Sequence, residues 1–372
     1  MRIFSSVIVL VVLHFSMLCK AQSLDKYKMM LNEDFIPFFV ASSNGDFLVA
    51  AHSRSKTIKV YDAVTLELRK SYEMPAEIPV EFDNVTYTSM GEPAELSLFG
   101  DRYLAVTCYG GYIVYIDLAT EKITWFRTSG SGNPEKMFSW TGGYLRSNQI
   151  FIHSEELKQI WYVNPLTNIV SGPFEFPDDP SQMNDGVYFI VKFSVPKFID
   201  INVKEFRTKS LISKITLTNL NANDKYNFSA LLSPDNKYLL VNLYTGIAIY
   251  NIQTKERIFY RKRESSYPPN IFITNNLVGF GGTGDDQLSF YNIASNKLLG
   301  KLRLTNYSST IAANKNHLFV YRNMKLGNGQ FVSILGSIRL DELINNSSEY
   351  SVNVFEKFDS KTLEELKLLD QN

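Results

Sequence analysis

Cysteine is scarce in this chain, and its scarcity excludes a disulfide-stabilised fold. The 372 residues contain 2 cysteines. Cys19 lies in an N-terminal apolar segment that we expect to be removed, so only Cys108 is left and no disulfide framework can form. Cys108 lies within a strand-like run at residues 103–109 and has no histidine beside it in the sequence. We interpret it as a buried, unreactive thiol and not as a nucleophile.

The chain also lacks an excess of charge of either sign. Lys and Arg together number 38, and so do Asp and Glu. Without a net field, the protein has no general electrostatic attraction for nucleic acid or for an anionic membrane surface. The charge balance therefore predicts no nucleic-acid partner.

Only one long apolar run is present, and it lies at the N-terminus. Arg2 precedes an apolar stretch at residues 3–18, and small residues, Cys19 and Ala21, stand at the two positions that signal cleavage requires. This pattern predicts a secretory signal peptide at residues 1–21, cut after Ala21, and a secreted or periplasmic protein with no membrane span after cleavage. A lipid anchor on Cys19 is the rival, although Leu18 before it is bulky. A retained anchor is the third alternative, although about 16 apolar residues are few for a bilayer.

Local catalytic motifs are missing as well. There is no nucleophile elbow, no Ser/His/Asp order and no His–Cys pair. Asp285 and Asp286 follow a glycine-rich stretch at 281–284, but no Gly-Lys-Ser/Thr follows, so we predict a hairpin turn there and no phosphate loop. A second acidic cluster lacks the ligand spacing of a calcium loop, and we expect it to be a solvated turn. Its members are Asp178, Asp179 and Asp185.

Histidine is too sparse and too scattered to predict a metal site. His52, His153 and His317 each lie in or beside the second strand of a predicted repeat, so a shared site on one face is conceivable. No His-x-His or His-x-x-x-His spacing supports such a site. We expect surface or turn histidines, and we assign no catalytic, metal-binding or cofactor-binding residue.

What the chain does contain is a repeated strand pattern, clearest at residues 226–262. Four short runs rich in Tyr, Ile, Phe and Leu alternate with turn signals, the first of which is Ser-Pro-Asp-Asn at 233–236. The runs lie at 228–232, 238–244, 246–251 and 256–262. This spacing predicts a four-stranded antiparallel meander. Such a sheet is marginal alone, so the chain should contain more of them.

The third run of each unit ends on an anchor, an Asp or Asn that follows an apolar residue and precedes Thr or Ser three positions later. Its side chain can accept hydrogen bonds from the amides ahead of it, which reverses strand three into strand four. Five clear anchors and two weaker ones are separated by 55, 47, 36, 51, 41 and 49 residues. They are Asp62, Asp117, Asn164, Asn251 and Asn292, with Asp200 and Asp341 as the weaker copies.

A strand-rich period of roughly 40–50 residues predicts an all-β β-propeller that forms a single domain over residues 22–372. Seven anchors predict seven four-stranded blades, with six or eight as alternatives. Blades are expected at about 35–74, 94–128, 137–176, 187–220, 221–263 and 270–304, with the last from 311. Two connections, 75–93 and 177–186, are predicted to be surface insertions.

The two ends of the chain lie outside this regular pattern. Residues 24–32 form a short run that could supply the outer strand of the last blade and close the ring. Residues 342–372 are irregular. Asp359 follows Asp341 too closely for another whole blade, so this segment either completes blade seven or forms a partial eighth.

The segment Ser233 to Glu256, SPDNKYLL…GIAIYNIQTKE, resembles the strand-turn-strand core of YVTN-type and quinoprotein amine dehydrogenase-like propellers. It is also similar to WD-repeat (WD40) blades, but Tyr or Ile replaces the Trp before the anchor and the Gly-His pair is absent. The resemblance is clear over about half the chain. It implies a propeller that serves as a binding or sensing module, and no particular chemistry.

The sequence therefore favours a secreted or periplasmic, monomeric propeller that binds or scaffolds a protein or glycan ligand. The alternative is a propeller enzyme, either a metal-dependent hydrolase or lactonase or a subunit of a periplasmic dehydrogenase system. Propeller active sites gather single residues from many blades, so the lack of a local motif does not decide between the two. The cofactor, if there is one, is not identifiable from the sequence.

Overall fold

A computed structural model describes most of the chain after its N-terminal segment. The described residues are 27–32, 36, 38–52, 55–74, 78–82, 85–89, 93–108, 112–127, 139–142, 150–154, 158–164, 167, 169–176, 178, 180–184, 186–194, 197–262, 270–281, 287–303, 311–325 and 331–341.

Antiparallel strands make up nearly all of the regular structure in these residues. The strands of the first half are β1 (Tyr27–Asn32), β2 (Phe38–Ala41), β3 (Phe47–His52), β4 (Thr57–Asp62), β5 (Leu68–Glu73), β6 (Ile78–Phe82), β7 (Val85–Ser89), β8 (Pro93–Phe99), β9 (Tyr103–Cys108), β10 (Tyr112–Asp117), β11 (Lys122–Arg127), β12 (Ser139–Gly142), β13 (Ile150–Ser154), β14 (Gln159–Asn164) and β15 (Ile169–Glu175).

The second half continues the pattern, with one short 3-10 helix at Ala222–Lys225. Its strands are β16 (Gln182–Asn184), β17 (Val187–Ser194), β18 (Phe198–Glu205), β19 (Leu211–Leu217), β20 (Ser229–Leu232), β21 (Tyr238–Leu243), β22 (Gly246–Asn251), β23 (Arg257–Lys262), β24 (Asn270–Phe272), β25 (Leu277–Gly281), β26 (Gln287–Asn292), β27 (Lys297–Arg303), β28 (Ile311–Ala313), β29 (His317–Lys325) and β30 (Phe331–Arg339).

The described strands form seven four-stranded sheets and one two-stranded hairpin. Sheets one to six each take four consecutive strands: β2–β5, β8–β11, β12–β15, β16–β19, β20–β23 and β24–β27. Sheet seven takes β28, β29 and β30 from the end of the described chain, and β1 pairs with β30 as its fourth strand. The number of four-stranded sheets in the described part equals the number of anchors in the sequence.

The sheets are arranged in a closed ring. The first strand of each sheet lies beside the first strand of the next, in the order β2, β8, β12, β16, β20, β24, β28 and back to β2. This cyclic neighbour relation defines a β-propeller, as the repeat predicts. The early run that was expected to close the ring does so as β1, which ties the N-terminal strand to sheet seven.

The hydrophobic core lies between neighbouring sheets. Between sheets one and two, for example, Val49 and Ile58 pack with Leu104 and Val114, and all four are fully buried. Similar clusters join sheets four and five, five and six, and seven and one. Each buried Val, Leu or Ile contributes about 1.5–3 kcal/mol relative to its exposed state. In these pairs each sheet therefore buries one face against its neighbour in the ring.

The turns after Asp62, Asp117, Asn251 and Asn292 form as predicted, and they share a feature that the sequence pattern did not include; the turn expected after Asp341 lies outside the described residues. The residue four positions after the anchor has a positive φ, for example 58° at Leu66 and 63° at Lys255. A β-bulge lies opposite, between Val60 and Tyr61 in sheet one. This combination is a type I turn followed by a left-handed residue, a common hairpin connection. The anchor side chain accepts hydrogen bonds from the backbone N–H groups that point into this turn.

Asp200 is not an anchor, and the prediction for sheet four was wrong on this point. It lies in the middle of β18, where it accepts hydrogen bonds from Thr216 Oγ1 and Lys214 Nζ on β19, both at 2.7 Å. The anchor is Glu205, whose carboxylate accepts from the amide of Thr208 at 2.5 Å. Lys209 then has the positive φ, 57°. With Glu205 in this place, the uneven anchor intervals of 36 and 51 residues become 41 and 46.

The two predicted insertions are also more regular than expected. Residues 75–93 include a β-hairpin, β6 with β7, which belongs to no four-stranded sheet of the described part. Residues 177–186 include β16, the first strand of sheet four. A strand of three residues is too short to show alternation, and for this reason the sequence pattern missed it. Residues 342–372, including Asp359, lie outside the described residues.

Candidate binding cleft

A cleft of about 420 Å³ lies between sheets one and two, where the turns of both sheets meet. Its walls come from β3, β4 and β5 of sheet one, and from the β8–β9 and β10–β11 turns of sheet two. Ten residues line it, apolar at the floor and charged at the rim: Phe47, Val60, Arg69, Lys70, Tyr72, Asp101, Arg102, Leu118, Ala119 and Glu121. Its volume falls in the range of about 300–1,000 Å³ that is typical of ligand sites.

The first rim cation, Arg69, is held by the anchor of its own sheet. Asp62 accepts hydrogen bonds from the amides of Val64 and Thr65, both at 2.8 Å, and from Arg69 Nη2 at 2.5 Å. The Thr65 amide and then the Arg69 guanidinium lower the pKa of Asp62 to about 2. Asp62 is thus a fixed anion that holds one edge of the guanidinium.

The second rim cation, Arg102, is held in the same way by the anchor of sheet two. Its Nε and Nη2 donate to the two carboxylate oxygens of Asp117, at 2.9 and 2.8 Å. Asp117 also accepts from the amide of Ala119 at 3.0 Å. The hydrogen bonds from Arg102 hold the pKa of Asp117 well below its usual range. The guanidinium carbon of Arg102 lies 4.8 Å from the ring centre of Tyr103, a cation–π contact that fixes the side chain further.

Lys70 and Glu121 form an ion pair across the cleft, with Nζ and Oε2 at 2.6 Å. Lys70 is on β5 of sheet one and Glu121 is in the anchor turn of sheet two, so the pair bridges the two sheets. Their side chains are 44% and 54% exposed. An ion pair this exposed contributes only about 0–1 kcal/mol, and water or another charge can replace either partner at little cost.

Asp101 locks the two sheets together beside the cleft. From the β8–β9 turn it accepts hydrogen bonds from the amides of Ser43 and Asn44, at 2.6 and 2.8 Å, and from Ser43 Oγ at 2.7 Å. Ser43 and Asn44 belong to the β2–β3 turn of sheet one. All three bonds join the sheets directly, so the cleft has a defined width.

The floor of the cleft is apolar. Val60 and Tyr72 are buried, and Phe47 and Leu118 are partly buried beside them. Burial, followed by the charges of Glu121 and Asp117, raises the pKa of Tyr72. The cleft therefore combines an apolar floor with charged groups whose positions are fixed by neighbouring turns.

None of the ten lining residues was singled out from the sequence, and Asp62 and Asp117, which hold two of them from behind, were singled out only as anchors. The lining comes from three strands and two turns between residues 47 and 121, and no local spacing relates them. One signal was available: Asp62 and Arg69, like Asp117 and Arg102, face each other across one antiparallel hairpin. The sequence does not show that these two hairpins lie side by side, because that depends on how one sheet packs on the next.

The histidines do not converge, and two of them are not on the surface as expected. His52 is fully buried at the end of β3, where its Nε2 lies 2.9 Å from Tyr61 Oη. His317 is buried at the start of β29. The two residues lie at opposite ends of equivalent strands in adjacent sheets. His153 is in β13, and its side chain lies outside the described part.

Asp178, one member of the acidic cluster, and the Cys108 thiol have structural roles in the described part. Asp178 accepts hydrogen bonds from Tyr188 Oη and from Lys204 Nζ, the latter at 2.8 Å; Asp179 and Asp185 lie outside the described residues. Burial raises the pKa of the Cys108 thiol to about 12, in agreement with an unreactive side chain. Asp285 and Asp286 lie outside the described residues, between the antiparallel strands β25 and β26.

Two general features of the described ranges bear on function. No three His, Cys, Asp or Glu side chains are grouped closely enough there to hold a metal ion. None of the helical segments found in these ranges has the length and apolar character needed to cross a bilayer.

No protein-family model matches the chain, and no curated protein matches its sequence. Its structure is similar to solved structures of low sequence identity. Kluyveromyces lactis Hsv2 is 10% identical, with a TM-score of 0.51 over 80% of this chain and 96% of that chain. The β-propeller domain of Cps50 (Swd1) from Myceliophteria thermophila is 14% identical, with a TM-score of 0.51 over 83% of this chain and 98% of that chain. At this identity the likeness shows the β-propeller fold alone.

Proposed function

We propose that this protein is a propeller binding module whose partner is another protein, docked in the cleft between sheets one and two. The observation that carries the proposal is the cleft itself, about 420 Å³ of space with an apolar floor and a rim of charged side chains. Asp101 and the two anchor turns hold this shape before any partner arrives. A preorganised site loses less conformational entropy on binding.

The composition of the cleft favours a protein partner over a glycan. Protein interfaces have an apolar centre, a polar rim and an enrichment in arginine and tyrosine. Tyr72 and Phe47 lie at the floor, and Arg69 and Arg102 at the rim.

We also propose that the protein meets its partner outside the cytoplasm. This rests on the signal-peptide pattern of residues 1–21 and on the cleavage position after Ala21. No specific observation in the described residues favours the metal-dependent hydrolase or the dehydrogenase subunit, so neither is proposed as a second function.

The test fills the cleft without changing its charge. Ala119 is exposed and lines the cleft, so the bulky, uncharged side chain of Ala119→Trp should block it. Ala294 has the same place in the anchor turn of sheet six, two residues after Asn292, and Ala294→Trp is the matched control. In a cross-linking experiment, purified wild type and Ala294→Trp should capture the same partner, and Ala119→Trp should lose it. Equal capture by both variants, or no partner captured by wild type, would contradict the proposal.

A further inference from the structure

We propose that the cleft recognises an acidic peptide segment, with Arg69, Arg102 and Lys70 as the groups that bind its carboxylates. This inference rests on the proposed function and specifies the chemistry of the partner. It follows from how the charges of the rim are paired, and not from their total number.

The two arginines are presented to the cleft by carboxylates that lie behind them. The side chain of Asp117 is 11% exposed and that of Asp62 is 25% exposed, whereas Arg102 and Arg69 are 42% and 44% exposed. Arg102 donates through Nε and Nη2 to Asp117, and a guanidinium has five N–H donors in a rigid fork. The remaining donors are directed by the same fork, so a second carboxylate can be bound without reordering the side chain.

The acids of the cleft are not equivalent competitors for these cations. Asp101 is engaged by three hydrogen bonds from Ser43 and Asn44. Asp62 and Asp117 accept from the amides of their own turns. Glu121 differs, because among the described contacts its carboxylate meets only Lys70 and is largely exposed. Glu121 therefore stands where the carboxylate of a ligand would stand.

This arrangement allows a ligand carboxylate to exchange with Glu121 at little cost in free energy. An exposed ion pair contributes little to stability, so a ligand carboxylate can replace Glu121 beside Lys70 almost without loss. Once there, the ligand extends toward Arg102, which is on the same sheet as Glu121. Glu121 acts as a built-in competitor that lowers the affinity for acidic ligands.

The apolar floor favours a peptide over a free anion. Phe47, Tyr72 and Leu118 lie among the cations, and a small inorganic anion would leave their surface in water. A segment that alternates acidic and apolar side chains would cover the floor and reach the rim together. Burial of an apolar side chain there adds to the affinity that the charge contacts provide.

The test measures binding of a fluorescein-labelled peptide of alternating Glu and Leu by anisotropy, with a Lys-Leu peptide as the ligand control. Glu121→Gln should bind the Glu-Leu probe about 2–5-fold more tightly, because the competitor is gone. Lys70→Gln should weaken binding by a similar factor, and Arg102→Gln by about 10–100-fold, since it removes a charge-assisted contact. Lys122→Gln removes a positive charge beside Glu121 but outside the cleft lining, and it should leave the affinity unchanged.

The gain in Glu121→Gln protects the test against misfolded variants, because a damaged fold does not bind more tightly. An unchanged affinity in Glu121→Gln would overturn the proposal, as would equal binding of the Lys-Leu peptide. Displacement of the probe by an equal concentration of inorganic phosphate would identify a simple anion site instead. If the probe fails but Ala119→Trp still abolishes capture of the natural partner, the cleft is the docking site and only its acidic specificity is wrong. If both fail, the proposed function fails as well.

Discussion

One side chain at the end of each third strand shapes the hairpin that follows. Asp62 and Asn251 both accept the amides two and three residues ahead, at 2.8 to 3.0 Å, so charge is not essential for this role. Glu205 performs it with one more methylene, and the hydroxyl of Thr208 adds a bond at 2.7 Å. In sheets one and two the anchor has a second role, because its carboxylate also orients an arginine of the cleft.

His317 is a residue whose burial has a consequence that can be measured. Its Nδ1 is buried and has no hydrogen-bond partner in the described residues, and the groups that act on it are Arg339, Asp341 and Asp62. Burial and then the charge of Arg339 lower its pKa below the ordinary 6.5, against the opposite effect of the two acids.

We therefore expect the melting temperature to fall as the pH drops below about 6.5, the pKa of an unfolded histidine. In that range His317 binds a proton more readily in the unfolded chain than in the folded chain, so a lower pH favours unfolding. Above that range the effect is absent. Melting temperatures between pH 7.5 and 5.5 should show this slope in wild type and a flatter one in His317→Leu. Carboxylates titrate below this window, so they do not obscure the comparison. An identical slope in the variant would show that His317 is not responsible.

Strand β1 is the element that joins the two ends of the described chain. It is the outer strand of sheet seven and pairs with β30 over six residues, from Tyr27 with Ile338 to Asn32 with Ser333. Sheets one to six are built from consecutive strands, so sheet seven is the one whose completeness depends on a distant part of the sequence. The pairing of β1 with β30 therefore has to offset the entropy cost of closing the whole ring.

Proline in β1 should consequently destabilise the protein by about 2–3 kcal/mol, in the upper part of the usual range for single substitutions. Successive amides of a strand point to opposite sides, so of Met29→Pro and Met30→Pro one must lose a ladder hydrogen bond. Urea unfolding of both variants measures the loss.

The hairpin β6–β7 provides the control, because in the described part it pairs with no other sheet. Thr86→Pro and Tyr87→Pro in β7 should cost less than about 1 kcal/mol by the same measurement. If the substitutions in β7 cost as much as those in β1, ring closure would not explain the effect.

At the scale of the whole molecule, the ring places turns of adjacent sheets in contact. The β2–β3 turn of sheet one contacts sheet two through Asp101, and it contacts sheet seven as well, since a Cβ on Gly45 would come within 2.6 Å of Asn316 Nδ2. Ser337 of sheet seven donates to the carbonyl of Ala63 at 2.8 Å. Polar groups from three sheets are thereby gathered at one end of the propeller, where the cleft lies.

The proposed location of the protein makes its own prediction. In a secretory host, intact mass of the exported protein should correspond to a chain that begins at Gln22. Ala21→Leu places a bulky residue at the cleavage position and should abolish processing at that bond, with retention of the precursor. An added lipid mass on Cys19 would support the lipoprotein anchor instead, and an unprocessed chain in the cytoplasm would contradict export.

The fold was predictable because its signal is local and repeated. Short apolar runs, turn residues and the anchors from Asp62 to Asn292 recur at a propeller-like period, and the strands of sheet five lie within about one residue of the predicted runs. The failures are also local in origin. Asp200 was taken as an anchor because Ile199 and Ile201 around it imitate the end of a strand, and Glu205 was missed because it is neither Asp nor Asn.

The amino-acid sequence by itself determines the repeating sheet, the hairpin turns and the run that closes the ring, because each depends on side chains within a few positions of one another. Only the tertiary structure decides which turns of different sheets meet. The Lys70–Glu121 pair joins residues 51 positions apart, and Asp101 reaches Ser43 across 58 positions. Contacts of this kind depend on the angle at which one sheet packs against the next. The spacing of the repeats in the sequence does not specify that angle. The cleft exists for that reason, and it is the feature on which the proposed function rests.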